Sequence, residues 1–208
     1  MISAIEDAAR PPNDAGRRLR LGQKRLCAIL KGVNAIPIPA RISVEQYLAT
    51  SYRPDCDYVD GVVEERNLGE KEHATLQRVL TIIFGLKRDE WQVEVYPELR
   101  VQVSPTRFRI PDITVVKAGL EWQRILRKPP LLTIEILSPE DSLSSIRKRV
   151  DDYLSFGTAH VWIIDTDLRK AYVCSSHGFE EPSDGVLAIA GTPIRVVLSE
   201  LFAELDRD

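Results

Sequence analysis

Cysteine is scarce in this chain. Three residues in 208 (Cys27, Cys56 and Cys174) are far apart and in no metal-ligand spacing, which argues against a disulfide scaffold or a thiolate metal site and for free thiols in a reducing compartment. No apolar run approaches the roughly 18 residues of a membrane span. The N-terminus also lacks the apolar stretch of a secretory signal. A cytoplasmic protein without a membrane partner is therefore expected. There is no internal repeat and no low-complexity run. Histidine is rare too, and His160 and His177 have no partner pattern, so both read as structural or exposed.

What is present suits one soluble domain with a tail. Hydrophobic residues make up 44% of the chain, enough to fill a single core, and charged residues 28%. The net charge of −3 conceals an asymmetry. Residues 1–40 carry seven basic side chains against three acidic ones, or +4, which leaves −7 for residues 41–208. Pro11-Pro12-Asn13-Asp14-Ala15-Gly16 and Ile36-Pro37-Ile38-Pro39 are breaker clusters. Residues 1–40 thus read as a flexible basic tail, with a short amphipathic helix over Arg17–Lys31 as the alternative. Residues 41–208 read as the domain. Its acidic balance argues against broad electrostatic binding of nucleic acid but leaves room for a local basic groove.

Along the domain, Ser43 suits an N-cap for a short helix. Asp60-Gly61 between two short apolar strands predicts a hairpin. Apolar residues at 76, 79, 80, 83, 84 and 86 predict a long helix over about 70–89. Alternation predicts strands over Trp91–Tyr96 and Leu99–Val103. A strand follows over Asp112–Val116, and an almost wholly apolar, hence central, one over Leu131–Leu137. A helix from Leu143 or Ser144 to Phe156 should stop at Gly157. Val161–Ile164 reads as another buried strand with Trp162 in the core, Lys170–Cys174 and Val186–Ala190 as a meander, and Glu200–Leu205 as a last helix. This order predicts an α/β (α+β) domain on a mixed central sheet flanked by helices.

Two of the apolar strands each carry one carboxylate, Asp112 after Pro111 and Glu135 midway along the next strand. A buried carboxylate is costly without a partner. If the two converge, repulsion raises one pKa unless a cation lies between them. Mg²⁺, or Mn²⁺ in its place, suits two such oxygens together with water and substrate phosphate. The structural alternative is a pair of surface-facing strand ends or buried ion pairs.

Pro111-Asp112 followed by an apolar strand bearing Glu135 resembles the PD-(D/E)XK phosphodiesterase motif. Ile134-Glu135-Ile136-Leu137-Ser138-Pro139, a helix ending Tyr153-Leu154-Ser155-Phe156-Gly157, and Val161-Trp162-Ile163-Ile164-Asp165 together resemble the Uma-two family over about residues 41–205. The resemblance implies a restriction-endonuclease-like fold and a Mg²⁺-dependent nuclease site acting on DNA, with Asp112 and Glu135 as the metal pair. One departure stands out: Leu137 occupies the place of the motif lysine. In the family pattern the basic residue comes from the following helix, where spacing back from Tyr153 places it at Arg149, beside Lys148. Arginine can fork onto phosphate but cannot act as a base. Lys148 lies about 100° further round the helix.

The remaining site candidates are one of Glu64 and Glu65, His73 and Glu98. Neighbouring Glu64 and Glu65 face opposite ways on a strand, so one at most can join the site. The family has acidic and histidine residues in these regions, and Glu65 and His73 are carried into the candidate set. Arg107, Arg109, Arg124, Arg127 and Lys128 flank the motif strands as a phosphate-binding groove or as surface charge. Leu137, Arg149 and the acidic body keep a second reading open: a catalytically degenerate module on the same fold that binds nucleic acid or protein. A homodimer paired through the later strands is a third.

Overall fold

The computed structural model describes residues 41–67, 70–122 and 124–207. The tail expected over 1–40, its alternative helix and Cys27 lie outside the described residues. Ser43 caps the first helix, α1 (Val44–Ala49), through a reciprocal box: its hydroxyl accepts from the Gln46 N–H and its own N–H donates to Gln46 Oε1. Strands β1 (Asp57–Val59) and β2 (Val62–Glu64) pair antiparallel. Their turn places Asp60 and Gly61 both at positive φ, the conformation an Asp-Gly hairpin favours.

The long helix expected next is divided. It runs as α2 (Lys71–Leu86), and after Lys87 a single turn, α3 (Arg88–Trp91), ends at Gln92 in the left-handed region. Trp91 belongs to that turn rather than to the following strand. Its buried ring meets Phe84 edge-on with centroids 5.1 Å apart, so packing overrides the apolar alternation that suggested a strand. Then come β3 (Val93–Pro97), β4 (Val101–Ser104), β5 (Arg107–Arg109), β6 (Ile113–Lys117) and β7 (Leu132–Leu137). Helix α4 (Leu143–Phe156) starts on Ser142, whose hydroxyl accepts from the Ser145 N–H, and stops at Gly157 with φ 98°. The chain finishes with β8 (His160–Asp165), β9 (Lys170–Ser175), β10 (Gly178–Glu180), β11 (Val186–Ala188), β12 (Arg195–Val197) and α5 (Leu198–Ala203).

Among the described residues the central sheet has the order β10-β9-β8-β7-β6-β3, with β7 and β8 parallel and the other pairs antiparallel. A second sheet has the order β2-β1-β5-β4. The meander expected after β8 takes a different form: β9 pairs with β10, whereas β11 pairs with β12 as a separate ribbon. No described helix is long and apolar enough to cross a membrane.

The period of two in the strands divides the core into two layers. Ile113, Val115, Leu132, Ile134, Ile136, Trp162 and Ile164 point to α2, where they meet Leu76, Val79, Leu80 and Phe84. Val116, Val161 and Ile163 point the other way, to Ile146, Val150 and Tyr153 of α4. Trp162 is fully buried, as expected of a core residue. Glu135 lies between Ile134 and Ile136 in β7, so the same alternation turns it away from the α2 layer and toward α4.

A candidate active site between two carboxylates and two arginines

The β6–β7 register pairs Ile113 with Ile134. One step further along the antiparallel ladder sets Asp112 opposite Glu135, and opposed residues project from the same face. Two acids 23 positions apart in sequence are brought together in this way. Both are buried. Both line a cavity of about 10 Å³, enclosed also by Arg66, Asn67, His73, Ile136, Ser138, Asp141 and Arg149. That volume is of the order needed for one water or ion.

Each carboxylate is already held. Asp112 Oδ2 accepts from the Ile136 N–H at 2.8 Å and stands 3.2 Å from His73 Nε2. Its Oδ1 accepts from Arg66 Nη2 at 2.5 Å. The Asp112 carbonyl accepts from Gln77 Nε2 of α2, which ties the backbone here to the helix. Glu135 Oε1 accepts from the Tyr153 hydroxyl at 2.5 Å. Among the described residues, its Oε2 has one longer ion pair, 3.4 Å from Arg149 Nε, a buried nitrogen that makes no hydrogen bond to them. Arg149 is held from its other side, where Nη2 donates to Asp141 Oδ1 at 2.7 Å. Asp141 Oδ2 in turn accepts from the Ser138 N–H, so the turn after β7 clamps the guanidinium over the strand end.

Burial would raise the Asp112 pKa, but the His73 hydrogen bond and the Arg66 charge outweigh it and hold the carboxyl below its usual value. Burial pushes Glu135 up to about 7; Arg149 and Tyr153 oppose that shift and the Asp112 charge adds to it. Burial pulls His73 down, yet its hydrogen bond to Asp112 and that residue's charge leave its pKa above the usual value. The site therefore separates two neighbouring carboxyl groups, one favouring the ionised form and one readily protonated.

The residues singled out in the sequence occupy distinct places. Asp112, Glu135, His73 and Arg149 share the cavity. Arg149 lies three residues after Ile146 and four before Tyr153, on the inward stripe of α4, whereas Lys148 is exposed and outside the cavity. Glu65 is exposed beyond β2 and also outside it. Glu64 bonds instead to Arg109 Nη1 at 2.9 Å. Glu98 is exposed and reaches Arg66 at 3.8 Å. Of the flanking basic set, Arg109 is buried in ion pairs with Asp57 and Asp152, and Arg107 bridges Asp60 and Asp152.

Sequence reasoning missed Arg66, Asp141 and Tyr153 as participants in the site. Arg66 lies just beyond β2, which ends at Glu64, and had no local signal that aimed it at Asp112. The Asp141 and Tyr153 contacts depend on the α4 rotation and had none either.

A divalent cation of the magnesium class suits the donor chemistry. Oε2 of Glu135 accepts no hydrogen bond among the described residues, and Asp112 supplies a second hard oxygen donor. No group of three or more His, Cys, Asp or Glu side chains is placed to hold a metal among the described residues. The protein itself thus offers two carboxylates at the cavity.

Comparison with known proteins agrees with this architecture. A family model described as "Uma2: Putative restriction endonuclease" matches residues 44–189. A solved structure described as "a putative nuclease belonging to DUF820 from Anabaena variabilis ATCC 29413" superposes with a TM-score of 0.69 at 22% identity, covering 79% of this chain and 99% of that one. No curated protein matches. The chain belongs to the Uma2 family and has the PD-(D/E)XK restriction-endonuclease-like fold.

Proposed function

We propose that residues 41–208 form a metal-dependent phosphodiester hydrolase acting on DNA, with Asp112 and Glu135 as the ligands of Mg²⁺ or Mn²⁺. The observation that carries this reading is the cross-strand placement of the two acids at one small cavity with Arg149 and His73. The family's description as a "Putative restriction endonuclease" supports DNA as the substrate. A bound cation would supply Lewis acidity at the phosphorus and an activated water.

The chain's own residues supply the rest. Arg149 is already charged and oriented by Asp141, and is suited to stabilise the charge that gathers on phosphate oxygens. It cannot take a proton from water, because arginine stays protonated in proteins. The Tyr153 hydroxyl orients Glu135, and the Ile136 N–H with His73 orients Asp112. Lys148 and Glu65, being exposed, are left for contacts outside the cavity.

Incubation of purified protein with supercoiled plasmid and Mg²⁺ or Mn²⁺ tests the reading. Conversion to nicked or linear DNA by the wild type, and its loss in Asp112→Ala and Glu135→Ala, is expected. Equal cleavage by wild type and Asp112→Ala would refute it.

One observation favours a second reading, a non-catalytic module that binds nucleic acid: Arg66 and Arg149 already balance both carboxylates. On that reading Mn²⁺ titration shows no difference between wild type and Glu135→Ala.

A further inference from the structure

The metal-pair reading leaves Arg66 unexplained. Its side chain is largely buried, it lies in the segment just after β2, and its guanidinium enters the cavity that Asp112 and Glu135 share. Nη2 sits 2.5 Å from Asp112 Oδ1, while the other oxygen of that carboxylate is committed to the Ile136 N–H and to His73. The Asp112 oxygen that a cation would need is therefore already occupied by a positive group. A buried carboxylate left unpaired carries a large desolvation cost, and Arg66 removes that cost while no metal is bound. A second carboxylate stands ready on the solvent side, since Glu98 Oε1 is 3.8 Å from Arg66 Nη1 and its side chain is 60% exposed.

We infer that Arg66 is the resident counter-ion of the metal-free site, which a divalent cation must displace from Asp112 on binding, with Glu98 receiving the released guanidinium. This rests on the reading of Asp112 and Glu135 as metal ligands. Two like charges cannot share one carboxylate oxygen at low cost, so cation and guanidinium compete. The competition sets a threshold: the site fills only where the cation, helped by substrate phosphate, outcompetes Arg66.

The test is Mn²⁺ binding by isothermal titration to wild type, Arg66→Gln and Arg66→Lys, alongside thermal unfolding with and without Mn²⁺. Arg66→Gln keeps an N–H donor but removes the charge, so its affinity should rise about tenfold or more. Its metal-free form should melt lower and gain more from Mn²⁺ than the wild type does. Arg66→Lys keeps the charge and should bind Mn²⁺ much as the wild type does. Unchanged or weaker binding by Arg66→Gln, with Glu135→Ala still abolishing it, overturns the role of Arg66 and leaves the metal pair standing. Absence of binding in every form overturns both. The wild type gives an independent answer that needs no variant to fold: in a crystal soaked with Mn²⁺ the Arg66–Asp112 pair should be broken, and finding it intact beside bound metal refutes the displacement.

Discussion

The Tyr153 hydroxyl donates a 2.5 Å hydrogen bond to Glu135 Oε1, joining α4 to the middle of β7 where both side chains are buried. Tyr153 also packs its ring among Ile146, Val150 and Val161, so its hydroxyl is the one part that serves the site. Tyr153→Phe keeps that packing and leaves Oε1 unsatisfied. It should lower stability by about 1–3 kcal/mol, read from urea denaturation. A loss below a few tenths would mean that the hydroxyl does not hold Glu135.

Arg109 is buried between Asp57 and Asp152 and also reaches Glu64, so it ties β1, β2, β5 and α4 together. Arg109→Met leaves the buried Asp57 without its ion-pair partner and Asp152 with Arg107 alone. A loss of about 3–5 kcal/mol is expected on denaturation. Lys148→Ala, on the exposed face of α4, should change stability by no more than about 0.5 kcal/mol.

The metal-free protein should be more stable in mild acid than at alkaline pH. His73 has a raised folded pKa, so its contribution is full below its unfolded value of 6.5 and is lost as pH rises through the folded value. Glu135 adds to the same slope: with its folded pKa near 7 against 4.5 unfolded, the native state retains a proton that the unfolded chain has released between those values. Asp112 acts in the opposite direction, its contribution being lost as pH falls through its depressed folded pKa. Denaturation from pH 4 to 9 should show stability declining above about pH 5, with His73→Gln and Glu135→Gln each flattening the decline. A curve that rises across pH 5–8 would contradict these assignments.

Arg149 and Lys148 are neighbours whose contributions to cleavage should differ. Arg149→Ala removes the guanidinium that Asp141 aims at the cavity, and plasmid cleavage should fall by about 10²–10³. Lys148→Ala should cleave within a few-fold of wild type. Equal losses in the two variants would argue that α4 contributes general positive charge rather than one placed group.

Much of this architecture was legible in the chain. The Asp60-Gly61 turn, the Ser43 cap, the Gly157 stop and the buried Trp162 strand all follow from local chemistry, where one residue type answers one backbone need. The structure departs from the local pattern where packing between elements decided. Trp91 ended a helical turn against Phe84 instead of opening a strand, and β11 found β12 instead of extending the ribbon of β9.

The site divides along the same line. In the sequence Asp112 and Glu135 stood out only as lone carboxylates on apolar strands, and it was the family resemblance, spaced back from Tyr153, that pointed to them as a pair and to Arg149 beside Lys148. Only the tertiary structure decided that Arg66 takes one oxygen of Asp112 and Tyr153 one oxygen of Glu135. Those partners lie 46 and 18 residues away, and the cost of burying charge selects them only once the sheet and α4 have closed over the pair.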